Sequence, residues 1–88
     1  MELQELRNKI DEIDNKLIDL FQQRMDLSAK VAKYKKQHNL PVYDPKREQE
    51  ILDSLSRKVK NERKTSMIEL FTLLFKLSRN EQEKILEK

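Results

Sequence analysis

Apolar residues recur at helical spacing from about Leu3 to Lys36. A heptad register fits this segment closely. Position a takes Leu3, Ile10, Leu17, Arg24 and Val31, and position d takes Leu6, Ile13, Leu20, Leu27 and Tyr34. All but Arg24 are apolar or aromatic, so the spacing predicts one long amphipathic helix. At 1.5 Å per residue such a helix is roughly 50 Å long. A compact chain of this size has a radius of gyration of only about 12 Å. The helix must therefore protrude from its own domain, and its seam stays covered only if a second chain packs on it.

The segment from Gln37 to Tyr43 reads as a loop, because Pro41 turns its predecessor away from helical backbone. Asp44 then reads as an N-cap, with Pro45 at the first helical position. A short second helix is expected to about Val59, with Ile51, Leu52 and Leu55 on its inner face. The polar, basic stretch from Arg57 to Lys64 reads as the connection to the last helix. Ser66 and Glu69 form a candidate capping box for that helix. Its apolar face carries Met67, Leu70, Phe71, Leu74 and Leu77, and it extends to about Ile85 or Leu86. The expected fold is all-α, with long, short and long helices in a single domain over residues 1–88.

Composition strengthens this picture. The chain holds no Gly and only Pro41 and Pro45. Strand-and-turn proteins need Gly where φ is positive, so few tight turns are expected. Charged residues make up 40% of the chain, with signs interspersed, as on a solvated helical surface. The net charge of +3 is a mild bias that does not by itself imply nucleic acid. With no Cys there is neither a disulfide nor thiol chemistry. No stretch resembles a signal peptide or a membrane span, so a soluble cytoplasmic protein is expected.

Candidate chemistry lies where the pattern fails. Arg24 interrupts the apolar seam, and a buried guanidinium is costly unless paired. Alone it could set the register of the seam or let its stem snorkel to the surface. Lys35 lies eleven residues later, almost three whole turns, and faces nearly the same way. Two cations on one face point to an anion site. At the start of the second helix, capping explains Asp44. It does not explain why Glu48, beside Arg47, shares a stripe with Ile51, Leu52 and Leu55. On the third helix Ser78 and Gln82 continue the line of Phe71 and Leu74. A hydrogen bond between helices would account for them equally well. Arg7, taken alone, is a surface residue. His38 sits in a polar loop with no other His and no Cys, so a zinc site is not expected. No Gly-rich phosphate loop exists, and the basic run lacks the interleaved aromatics of a nucleic-acid binder.

In chain order these positions are Arg7, Arg24, Lys35, then Asp44-Pro45-Lys46-Arg47-Glu48, then Ser78 and Gln82. The set resembles the active-site constellation of the AroQ-class chorismate mutases. The opening Leu6-Arg7-Asn8-Lys9-Ile10-Asp11-Glu12-Ile13-Asp14 is also similar to the start of that family, and the similarity covers nearly the whole chain. It implies an intertwined homodimer that rearranges chorismate to prephenate for phenylalanine and tyrosine biosynthesis, with no metal or cofactor. It also implies two active sites, each completed by Arg7 from the other chain. Helix geometry agrees, since Arg7 and Arg24 are about 26 Å apart on one helix and cannot hold the same small molecule.

The roles that follow suit a unimolecular Claisen rearrangement of a dianion. Arg24, Arg47 and the partner's Arg7 would grip the two carboxylates. Ser78 would assist at a carboxylate. Lys35 and Gln82 would donate to the ether oxygen as it becomes negative. Glu48, with Asp44, would receive the ring hydroxyl. An isochorismate-pyruvate lyase resembles this fold and is the nearest alternative, although Glu48 favours chorismate. A helical dimerisation module would explain the heptads but not the inward polar residues. A small basic nucleic-acid binder would require strongly salt-dependent affinity, which is not expected here.

Overall fold

A computed structural model describes residues 2–87. It contains three α-helices, α1 (Leu3–Gln37), α2 (Pro45–Lys58) and α3 (Lys64–Leu86). A single 3-10 turn, Asn61–Arg63, leads into α3. No strand occurs among the described residues, and the all-α, long–short–long order is as the sequence predicts. None of these helices is long and apolar enough to cross a membrane.

α1 ends in a Schellman motif built without Gly. Asn39 takes the left-handed conformation at φ 55°, which Asn tolerates better than most residues. The Leu40 N–H donates to the Lys35 carbonyl at 2.8 Å, and the Asn39 N–H to that of Lys36 at 3.4 Å. The His38 ring stacks on Tyr34 at 4.0 Å, which gives this loop His a local place at the helix end. The chain then reverses into α2. There the Asp44 carboxylate accepts from the Arg47 N–H at 3.1 Å, with Pro45 in the first turn. The expected N-cap is in place, and it fixes where Arg47 and Glu48 emerge.

The expected capping box does not form. α3 begins at Lys64, so Ser66 and Glu69 lie inside its first two turns, and no side chain caps its N-terminus. The preceding 3-10 turn delivers the chain in near-helical geometry, and the Arg63 N–H is satisfied by the Lys60 carbonyl.

The protein is elongated, with extents of 54 × 28 × 14 Å and a radius of gyration of 16.2 Å. The reason is α1. Every residue from Glu2 to Gln23 is exposed. Only the last third of the helix packs on α3, through Ser28 and Ala32, with Met25 and Ala29 half-buried beside them. The heptad seam is not the face that α1 turns to its own chain. Leu3, Leu6, Ile10, Ile13, Leu17 and Leu20 all lie on the exposed arm. Among the described residues the buried apolar ones are Ala32, Leu55 and Phe75. Ile51 and Leu52 flank Leu55 as the spacing predicts. On α3 the buried line centres on Phe75, with Phe71 edge-on at 6.1 Å, whereas Leu70 remains exposed.

Candidate active site

A cavity of about 370 Å³ opens where the last third of α1, the start of α2 and the second half of α3 meet. That size suits a small organic ligand. α1 contributes Arg24 and Lys35, which are eleven residues apart on one face. α2 contributes Asp44, Arg47 and Glu48 from its first turn. α3 contributes Ser78 and Gln82, one turn apart. Seven of the eight residues singled out from the sequence thus line one pocket. Arg7 does not. It lies on the exposed arm of α1, about 26 Å from Arg24 by helical rise.

Lys35 is anchored at two points. Its ammonium donates to the Val42 carbonyl at 2.7 Å and to Gln82 Oε1 at 3.2 Å. An ammonium has three donors, so one remains. An ammonium cannot accept a hydrogen bond, so the amide oxygen of Gln82 must face Lys35 and its NH2 is turned elsewhere. Gln82 is itself buried, which holds this orientation. The site therefore presents two adjacent donors, one charged and one neutral.

Arg24 is half-buried and has no ion-pair partner among the described residues. Desolvation pushes its pKa below the ordinary Arg range, because burial disfavours the charged form. Arg47 is more exposed, reaching Glu50 at 4.0 Å on its own helix. Both guanidiniums are thus available to an anion.

Two further residues belong to the site and are missed by the sequence reading. The Ser28 hydroxyl hydrogen-bonds that of Ser78 at 2.5 Å and ties α1 to α3 beside the pocket. Its signal was its place one turn after Arg24. Arg79 also lines the cavity and donates through Nη1 to Glu48 Oε2. Its signal was the spacing of Phe75, Arg79 and Gln82, four and then three residues apart. Arg24, Lys35, Arg47 and Arg79 face Asp44 and Glu48, a surplus of two positive charges in a largely apolar cleft.

A helical fold with a small pocket that carries a surplus of two positive charges suits compact organic dianions. Known proteins narrow this further. The chorismate mutase type II family model matches residues 6–83, and the chain belongs to that family. A chorismate mutase of Methanocaldococcus jannaschii is 38% identical over 87 residues, covering 97% of this chain and 88% of that protein. A 4-amino-4-deoxychorismate mutase of Streptomyces venezuelae is 38% identical over 56 residues, or 64% of this chain and 54% of that protein. A solved structure of a conserved hypothetical protein from Pyrococcus furiosus has a TM-score of 0.74 at 35% identity. It covers 91% of this chain and 93% of its own.

Proposed function

We propose that the chain rearranges chorismate to prephenate as a cytoplasmic homodimer, in pockets each completed by the partner's Arg7. The family membership carries the reaction. The observation that carries the assignment to this pocket is its surplus of two positive charges, matched to a substrate with two carboxylates. The reaction breaks one C–O bond and forms one C–C bond within a single molecule. No proton is transferred, so the protein has only to hold a compact conformer and stabilise developing charge.

Arg24 and Arg47 grip the carboxylates, and Ser78, fixed by Ser28, assists at one of them. The remaining ammonium donor of Lys35 and the NH2 of Gln82 point to the ether oxygen as it gains negative charge. Both are pre-aligned by their bond to one another, which lowers the cost of organising them during reaction. Glu48, with Asp44, accepts the ring hydroxyl.

The homodimer is supported by the exposed arm. Eight large apolar side chains stand exposed on it, Ile18 and Phe21 among them. Apolar surface of that extent marks an interface. The small own-chain core also needs the extra burial. The family matched is one of mutases, which leaves the lyase and the non-catalytic module unfavoured. Incubation of the purified protein with chorismate and with isochorismate tests the reading. Rapid loss of chorismate with formation of prephenate is expected. Release of pyruvate from isochorismate as the faster reaction would overturn it.

Gln82 offers a pH test. A neutral amide donates without taking a proton from solution, so activity should not demand acid. In the Gln82→Glu protein only the protonated acid could donate. Activity of the variant should therefore be low at neutral pH and rise as pH falls and the carboxyl takes up its proton. A pH–rate profile of the variant that stays flat and high at neutral pH would exclude this role.

A further inference from the structure

We infer that Arg79 is a positioning residue that makes Glu48 select a neutral hydroxyl over an ammonium on the substrate ring. This rests on the proposed role of Glu48 as hydroxyl acceptor. Arg79 is not a loose rim cation. Its guanidinium donates to Glu48 Oε2 and lies over the Tyr43 ring, 5.2 Å from its centre. The Arg79 and Glu48 side chains are 30% and 22% exposed, so the pair is partly withdrawn from water. Arg47, the nearer cation in sequence, turns to Glu50 instead. Among the described residues Arg79 is therefore the one cation paired with Glu48.

This pairing changes what Glu48 can bind. A carboxylate offers about four acceptor positions, and Arg79 occupies one on Oε2. The others still accept from a neutral hydroxyl. A ligand ammonium fares differently. It meets a carboxylate whose charge is already balanced, and it approaches a guanidinium that repels it. The same pairing limits the negative charge that Glu48 presents to a dianionic substrate. Arg79 thus supports the hydroxyl substrate twice, by fixing Glu48 and by cancelling its field.

The test compares chorismate with 4-amino-4-deoxychorismate, whose primary amine is protonated at neutral pH. The unchanged protein should prefer chorismate. Arg79→Met should lower kcat/KM for chorismate by roughly ten- to a hundredfold, the range for a lost hydrogen bond to a charged group. It should also shift the preference towards the amine by about tenfold or more. Arg79→Lys should restore most of the preference, since it keeps the charge. In a Glu48→Gln background, Arg79→Met should leave the preference unmoved. Helicity and sedimentation identify any misfolded variant, and Arg79→Gln gives the same comparison if Arg79→Met does not fold. Equal losses on both substrates in both backgrounds would reduce Arg79 to a structural residue and overturn the inference. An unchanged protein that does not turn over chorismate would instead overturn the functional reading, and this inference with it.

Discussion

Arg24→Leu is expected to abolish most turnover and, in the same protein, to raise the stability of the fold. The two effects have one cause. Arg24 occupies an a position between Leu17 and Val31, half-buried and without an ion-pair partner among the described residues. Its lowered pKa means that folding disfavours its charged form. That cost is present at every pH below the lowered pKa, and it fades only as pH rises through that value towards the ordinary Arg range. At neutral pH it is therefore felt in full. Leu removes the cost and extends the apolar seam, a change worth roughly 1 kcal/mol or more at matched protomer concentration. It also removes the group that meets a substrate carboxylate, and loss of such a preorganised charged donor should cost roughly a hundredfold or more in kcat/KM. Arg24→Ala should lose the same activity and gain less stability, since it lifts the desolvation cost but adds little apolar surface to the seam. Denaturant titration and steady-state kinetics on the two variants measure both effects. Near-normal turnover by Arg24→Leu would remove Arg24 from the active site.

Much of this was legible in the sequence because the chain is built from long helices, where period and register constrain strongly. The three helices and the cap at Asp44 follow from spacing, and Arg24, Lys35, Glu48, Ser78 and Gln82 stand out as polar residues on apolar faces, whereas their convergence in one site is what the family resemblance implies. The protrusion of α1 and the exposure of its seam follow from the length of the helix alone. Which residues of α1 pack on α3 is not legible, because the heptad stripe marks only the other face. Here the small Ser28 and Ala32 face α3, while the large seam residues point away. The start of α3 departs from the expected capping box for a local reason. Ser66 and Glu69 have the composition of a capping box, yet the 3-10 turn at Asn61–Arg63 starts the helix earlier and makes the box unnecessary. Arg79 is not legible as a site residue, because an Arg next to a polar Ser on a charged helix looks like solvated surface. Only the approach of α2 brings Glu48 to it.

Arg7 is the residue whose place the fold of one chain does not explain, and it gives the second large effect. It stands on the exposed arm, too far along α1 to reach the pocket of its own chain. An antiparallel partner helix would carry its Arg7 to this chain's Arg24. Arg7→Ala and Arg24→Ala should then each be nearly inactive as homodimers. In a mixed dimer, one pocket takes intact Arg7 from the second chain and intact Arg24 from the first, while the other pocket carries both lesions. Unfolding and refolding an equal mixture should recover about a quarter of wild-type activity, because about half the dimers are mixed and each has one good site of two. If Arg7 served its own chain's pocket, every site in the mixed dimer would carry one lesion and no activity would return. Simple mixing without unfolding should recover activity only slowly, since exchange must break an interface that runs along most of α1. Sedimentation of the unchanged protein should give the mass of two chains. A monomer that turned over chorismate at full rate would leave Arg7 without a role and the shared site without a basis.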